Sequence, residues 1–485
     1  MSRWVPLLIT WPVTISLAHI LSPQDYGYLA LVTVFTRFGR IVAEAGVSNT
    51  IVLGPQLTDE EYRSLHGFSF LTFIGVAATL SLLAFPIEIF YGRQGMREVI
   101  WALSVGFAFD GLSLVPTALL RRRLQFRSTA TAEIVRVLVE SSLTLSLALA
   151  GWKYWALVGG YLTGAFAGTC SILIAARVRL GRPRMATIRK VRSSANRLLT
   201  ASMSNFLAQS SDASIGGLVV SAASLGGYSY MAGLARSPIE KLSGIVTYAS
   251  ASLFGNVRES RERVVSVLNR ICVFSALAMF PVLGGIAVVA PDLVQGILGA
   301  KWQPYISVLQ LMCFQAALLP LTAALDNALI ATGQEHIYAT NGLLTLGILP
   351  PSFYLLGKTF GAPGLALAWL VPAPILLVRR LAALKRSAGL EINTWVRMLV
   401  RPIIVTSLMI TIVIAVRSLP ILADLPPLYR LALCSFIGAV VCVILTILLC
   451  ADQVSWFAGI DGAGRLGKAA RIALAGRQRL LKVQR

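Results

Sequence analysis

A chain of 485 residues is long enough for about three soluble domains, but 56% of this one is hydrophobic and only 13% charged, against roughly 45–50% and about 25% in soluble globular proteins. A mean hydropathy of +0.74 leaves no polar stretch long enough to hold a soluble catalytic or nucleotide-binding domain, so ordinary cytosolic enzymes are excluded. The net charge of +22, from 43 Lys+Arg against 21 Asp+Glu, would suggest nucleic acid as a partner in a soluble protein. Here the basic residues fall between apolar segments, where the positive-inside rule places them, and the charge reports topology.

The N-terminal run, Met1 to Leu21, is apolar with one Arg and lacks an obvious small-residue cleavage site, which predicts a retained first helix. A membrane span needs about 20 mainly apolar residues. By that measure fourteen stretches qualify: 4–20, 27–53, 67–91, 99–120, 130–150, 154–176, 198–220, 226–253, 267–290, 304–332, 338–357, 362–378, 398–418 and 428–450. Positive charge collects after the fourth span (Arg121, Arg122, Arg123, Arg127), after the sixth (Arg177 to Arg197), after the twelfth (Arg379 to Arg397) and in the tail from Arg465 to Arg485. All four follow even-numbered spans, so one orientation puts them and both termini in the cytoplasm.

Comparing the chain with itself at an offset of 200 lays Leu21 to Leu31 over Ser221 to Met231, with Gly27 over Gly227. Each is a short link entering a long even-numbered span. The expected fold is therefore an all-α membrane protein of about 14 transmembrane helices: two pseudo-symmetric six-helix lobes, a transporter feature, plus two C-terminal helices. The corresponding parts are 1–197 and 198–397, each a lobe with its basic link, then 398–450 for helices 13 and 14 and 451–485 for a basic cytoplasmic tail.

Conventional motifs are nearly absent. Gly462-Ala-Gly464-Arg-Leu-Gly467-Lys468 imitates a phosphate loop, but Ala469 stands where Ser or Thr is needed and no strand precedes it. The chain therefore shows no ATPase of its own. His19, His66 and His336 are scattered, and the six cysteines lie in apolar runs without metal-ligand spacing, so no metal site and no cofactor are expected. Coupling to a Na⁺, H⁺ or substrate gradient is left open.

Ionisable groups far inside spans are the informative residues, because each costs about 2.5–3.5 kcal/mol unless it faces protein or water. Span 2 carries Arg37, Arg40 and Glu44 on one helical face, and span 5 repeats that spacing with Glu133, Arg136 and Glu140. Span 8 holds Arg236, Glu240 and Lys241, and the repeat offset puts Arg236 and Glu240 beside the positions of Arg37 and Arg40. Asp110, Asp212 and Asp326 lie singly within spans 4, 7 and 10. Two readings compete: intrahelical ion pairs at four-residue spacing, Arg40 with Glu44 and Arg136 with Glu140, or a water-filled cationic cavity suited to an anionic head group. The second assigns substrate binding to Arg37, Arg40, Arg236 and Lys241. Glu44, Asp110, Glu140, Asp212, Glu240 and Asp326 become cavity acids or ion-coupling groups.

Several short stretches in fixed order carry a resemblance: Leu21-Ser-Pro-Gln-Asp-Tyr-Gly27, Glu44-Ala-Gly46-Val-Ser-Asn-Thr50, Leu119-Leu-Arg121-Arg-Arg-Leu-Gln-Phe126-Arg127, Trp155-Ala-Leu-Val158, Gly299-Ala-Lys301-Trp302-Gln-Pro304 and Gly361-Ala-Pro-Gly364-Leu-Ala. Through span 12 the chain resembles the Wzx-like polysaccharide exporters of the oligosaccharide-lipid flippase family, whose superfamily also holds MATE drug exporters and the lipid II flippase. The resemblance implies alternating access, an undecaprenyl-diphosphate-linked oligosaccharide as substrate, the bacterial inner membrane as location and no enzymatic activity. It also implies membrane lipids as partners, with a polysaccharide polymerase and chain-length proteins nearby. A MATE-type drug exporter is the alternative, and acidic sites for cationic drugs would favour it.

Overall fold

The computed structural model describes residues 4–44, 47–53, 57–255 and 260–458, with side chains placed for 9–44, 47–48, 50–52, 57–189, 203, 206–239, 260–420, 422 and 424–453. The tail with its Gly462 to Lys468 stretch lies outside the described residues, as do the side chains of Glu240 and Lys241. All regular structure among the described residues is helical. The chain divides into two compact units, Met1–Ser229 and Tyr230–Arg485.

The first unit contains α1 (Trp4–Ile20), α2 (Pro23–Glu44), α3 (Val47–Leu53), α4 (Asp59–Tyr91), α5 (Met96–Arg122), α6 (Phe126–Leu149), α7 (Tyr154–Ala176), α8 (Met185–Val219) and the opening turns of α9 (Ala222–Gly255). The Leu21 to Gly27 stretch is a helix start. Ser22 caps α2, Pro23 takes the first helical position, and the Asp25 carboxylate accepts from the Ser22 backbone N–H at 2.9 Å and its hydroxyl at 2.6 Å. Asp25 also accepts from the Tyr154 N–H at 3.2 Å, joining the starts of α2 and α7. The start of α9 is capped alike: Ser221 Oγ accepts from Ser224 N–H at 3.1 Å. A capping box of Thr58 and Glu61 opens α4, and Gly92, at φ 62°, closes it.

Packing of α6 on α7 depends on a stripe of glycines four residues apart. A Cβ at Gly164 would lie 2.6 Å from Glu140 Cβ and one at Gly168 3.1 Å from Arg136 Cβ, while one at Gly160 would collide with Thr144. Without side chains on that stripe the two backbones approach closely, as small residues allow between membrane helices. The contact fixes the charged face of α6.

The second unit holds the rest of α9, then α10 (Arg261–Leu293), a π-turn over Val294–Leu298, a 3₁₀ turn over Ala300–Tyr305, α11 (Ile306–Ala331), α12 (Glu335–Ala368), α13 (Pro372–Ala388), α14 (Ile392–Arg417), the short α15 (Pro420–Ala423) and α16 (Pro427–Ala458). Gly361, at φ 64° and ψ −137°, breaks α12 into two helices. Trp302 of the 3₁₀ turn is fully buried, its ring 4.4 Å from that of Tyr230. Leu268, Leu325, Leu329, Leu384 and Trp395 build a core among α10, α11, α13 and α14. Fully buried Asp292, at the end of α10, takes Arg417 at 2.8 Å and Arg430 at 2.6 Å and so ties α14 and α16 to it.

Eight stretches among the described residues are long and apolar enough to cross a membrane: Asp59–Tyr91, Met96–Arg122, Tyr154–Ala176, Arg261–Leu298, Ala300–Ala331, Glu335–Ala388, Ile392–Arg417 and Pro427–Gln453. The chain is a multi-pass α-helical membrane protein. Most of the fourteen expected stretches lie on a single helix, but 27–53 runs over both α2 and α3, and 362–378 crosses from α12 into α13; Glu335–Ala388 contains two of the stretches, separated at Gly361. The expected stretches outside the eight lie on α1, which has 17 residues, and on the more polar α2, α6, α8 and α9.

Candidate functional site

A cavity of about 490 Å³ opens inside the first unit among α1, α2, α5, α6 and α7. Helix α2 lends it Leu29, Thr33, Thr36, Arg37 and Arg40, the one-face spacing expected of a helix. Opposite stand Glu140, Ser141 and Thr144 of α6 and Tyr161 of α7. Val13 and Leu17 of α1, Leu103 of α5, Val137 of α6 and Leu157 of α7 complete a largely apolar wall in which the two cations, one carboxylate and the hydroxyls are set.

Arg40 is held from two sides. Its Nη2 lies 2.6 Å from Asp110 Oδ2 of α5 and donates to Tyr161 Oη at 2.5 Å. The intrahelical pair expected with Glu44 is absent, although Glu44 remains in the electrostatic field of Arg40 and Arg121. The partner differs because α5 brings a carboxylate to bonding distance of Arg40, a tertiary contact that spacing along α2 cannot reveal. The other expected pair forms: Arg136 Nε and Glu140 Oε2 are 3.6 Å apart on α6. Asp110 and Glu140 therefore each have their own arginine. Arg37 is exposed and forms no hydrogen bond or ion pair among the described residues. The cavity retains an uncompensated positive charge at Arg37, with a second guanidinium, on Arg40, already oriented three residues away.

The remaining expected residues lie elsewhere. Arg236 belongs to the second unit and stands over the Trp369 ring at 4.9 Å, a cation–π contact. The three acids read as single are all partnered: Asp110 with Arg40, Asp212 with the Tyr228 hydroxyl at 2.8 Å, and Asp326 with Arg380 through bonds of 2.6 and 3.0 Å. Sequence reasoning missed Tyr161 and the hydroxyls of Thr33, Thr36, Ser141 and Thr144, and it read Arg380 as part of a basic link, not as the partner of Asp326. A signal for Ser141 and Thr144 was present in the Gly160, Gly164, Gly168 stripe, which marks the α6 face that packs against α7. Among the described residues no group of three His, Cys, Asp or Glu could hold a metal ion.

Comparison with known proteins gives a consistent result. The family described as polysaccharide biosynthesis protein matches residues 16–307. An uncharacterized membrane protein in the cps region of Klebsiella pneumoniae is 22% identical over 359 residues, 73% of this chain and 74% of that one. The lipopolysaccharide biosynthesis protein WzxC of Escherichia coli (strain K12) is 23% identical over 363 residues, 73% of each chain. Among solved structures, the lipid II flippase MurJ in its inward closed conformation superposes with a TM-score of 0.74 at 12% identity, covering 93% of this chain and 98% of that one. An inward-facing MATE family multidrug resistance transporter superposes with a TM-score of 0.61 at 16% identity, over 79% of this chain and 96% of that one. At these identities the superpositions establish the fold.

Proposed function

Because the chain belongs to the polysaccharide biosynthesis protein family, we propose that it is a transporter, not an enzyme, and that it flips an undecaprenyl-diphosphate-linked oligosaccharide across the inner membrane by alternating access. The observation that carries this reading is Arg37, a cation with no ion pair among the described residues, in a largely apolar cavity that also presents hydroxyls. A diphosphate-sugar head is too polar to cross hydrocarbon, whereas guanidinium groups can take its oxygens in paired hydrogen bonds. The hydroxyls of Thr33, Thr36, Ser141 and Thr144 suit the sugar. The relatives with printed functions point the same way, since WzxC is named for lipopolysaccharide biosynthesis.

On this reading Arg37, Arg40, Arg236 and Lys241 are the cations assigned to the head group. The repeats are residues 1–197 and 198–397, followed by helices 13 and 14 over 398–450 and a basic tail over 451–485. Fourteen spans with both termini in the cytoplasm follow from the one-sided basic links. Coupling to Na⁺ or H⁺ is assigned to Glu140, which lines the cavity, and Asp110, which pairs with Arg40. Asp212 and Asp326, each held by a partner, are left to structural roles, and Glu44 and Glu240 stay with the cavity acids. A polysaccharide polymerase and chain-length proteins are the partners that would receive the flipped product. Proteoliposomes with a labelled lipid-linked oligosaccharide test the function directly: the label should become accessible on the opposite face only when the protein is present. Movement of a cationic drug without movement of the lipid-linked sugar would replace this reading with that of a drug exporter.

A further inference from the structure

We propose that the α5–α6 turn and the α7–α8 link of the first unit form one binding site for an anionic phospholipid head group, flanked by apolar anchors that enter the bilayer. The two segments are brought together by Val178, which packs against the cluster around Leu119 and against that around Leu120. Around this junction Arg123, Arg127, Arg177, Arg179 and Arg182 are exposed and form no ion pair among the described residues. The acids at this end are those of the first turn of α4 and Glu44 at the end of α2: Glu61 closes the capping box, Glu60 pairs with Arg184, and Glu44 lies in the field of Arg40 and Arg121. Positive charge is left in excess.

Between those arginines the chain exposes side chains that water would not favour. Leu124 is 71% exposed, Phe126 59% and Leu180 51%. Leu124 also adopts φ 56° and Arg177 φ 54°, left-handed conformations costly for residues with a Cβ. A solvated basic loop would place Gly or Asn at such turns. Leucine and phenylalanine interleaved with arginine instead match the boundary between head groups and acyl chains, where apolar side chains enter hydrocarbon and guanidinium groups meet phosphate. Both segments are held in place. Arg122 donates to the Ile51 carbonyl at 2.6 Å, Gly181 N–H to the Arg63 carbonyl at 3.1 Å, and Arg184 N–H to Ser64 Oγ at 2.8 Å. The arginines are therefore presented by ordered backbone, which limits the ordering cost of binding. The leaflet is the cytoplasmic one under the orientation proposed above, while the lipid preference can be measured without knowing it.

The test uses the full chain reconstituted in vesicles of equal parts phosphatidylcholine and phosphatidylglycerol, with a spin label on one lipid or the other reporting how strongly each associates with the protein. Wild type should favour phosphatidylglycerol about five-fold, the factor that one interfacial arginine contributes, and added salt should reduce the preference. Arg123→Gln with Arg127→Gln and Arg179→Gln should abolish it, and Leu124→Asn with Phe126→Asn should weaken it with the charge unchanged. Removing equal charge from the second unit, as Lys385→Gln, Arg386→Gln and Arg397→Gln, should leave it nearly intact. Equal association of the two lipids with wild type overturns the proposal. So does an equal loss in the second-unit variant, which would mean a diffuse positive field and no site. If the triple arginine variant does not fold, Arg127→Gln alone and the wild-type salt titration give the same decision.

Discussion

Gly27 and Gly226 pack against each other's helices reciprocally. A Cβ on Gly27 would collide with the carbonyl oxygen of Ala222, and one on Gly226 with that of Pro23. Pro23 to Ala222 and Gly27 to Gly226 are each 199 residues apart, so each helix start offers its partner the same surface it receives, as at a two-fold contact. Ser22 and Ser221, the two capping serines, keep the same offset. Carried along α2 and α9, it equates Arg37 with Arg236 by sequence position, one residue away from the expected offset of 200.

That contact gives the first prediction. Carbonyl oxygens cannot swing aside, so Gly27→Ala or Gly226→Ala must push the helices apart and should destabilise the purified protein by about 1–3 kcal/mol, the usual range for overpacking. A Cβ on Gly75 of α4 would meet nothing within 4 Å, so Gly75→Ala should leave stability unchanged or raise it by up to about 1 kcal/mol through helix propensity. Thermal unfolding in one detergent compares the three. Equal behaviour would show that the close approach is not specific.

The second concerns Arg40, Asp110 and Tyr161. Removing Asp110 leaves the Arg40 guanidinium without its carboxylate but still bonded to Tyr161. Because the Arg40 side chain is 41% exposed, Asp110→Ala should cost about 1–3 kcal/mol, less than for a fully buried pair. Asp110→Ala combined with Arg40→Ala should cost less than the sum of the two single changes, with a coupling energy of about 1–3 kcal/mol in a double-mutant cycle. Additive losses would mean that the 2.6 Å pair contributes nothing.

For the third, Arg37 must behave differently from Arg40, because no carboxylate holds it. Arg37→Ala should leave the amount of folded protein unchanged and weaken binding of the lipid-linked oligosaccharide about ten- to a hundred-fold, the effect of one charge-assisted hydrogen bond of about 1.5–3 kcal/mol. Arg37→Lys should recover part of the loss, since an ammonium keeps the charge and forfeits the paired geometry. Flipping at the wild-type rate by Arg37→Ala would remove the cationic cavity from the mechanism.

What the residue pattern reveals, and what it hides, follows from the distance over which each signal acts. Apolar length and the spacing of Arg37 and Arg40 along one helix are local, and the helices and the shared face appear as expected. The pair Arg136 and Glu140 is local too, and forms. Arg40 has two acids to choose between, one four residues away and one on α5, and only the packed structure brings Asp110 within 2.6 Å. The same holds for Asp212, which meets a hydroxyl 16 residues away across the α8–α9 turn. The one-residue error in the repeat offset has another cause: Gly226 and Gly227 are adjacent and identical, and only the close approach tells them apart.

Asp326 gives the fourth prediction, because two accounts of it disagree measurably. Its carboxylate meets Arg380 in a two-bond arrangement, with side-chain exposures of only 18% and 11% for the two partners. As an ion pair joining α11 to α13, it should tolerate loss of neither partner: Asp326→Ala and Arg380→Ala should each cost about 3–5 kcal/mol by leaving one charge unpaired inside the protein. Replacing both, as Asp326→Leu with Arg380→Met, should recover most of the stability, since a buried pair exchanged for apolar side chains of similar size is often neutral. Transport should follow folded protein in all three variants. An ion-coupling carboxylate would behave in the opposite way, since Asp326→Asn would then abolish gradient-driven transport while unfolding stayed at the wild-type temperature. Unfolding and proteoliposome uptake measured on the same preparations separate the two, and a stable but inactive Asp326→Asn protein would return Asp326 to the coupling mechanism.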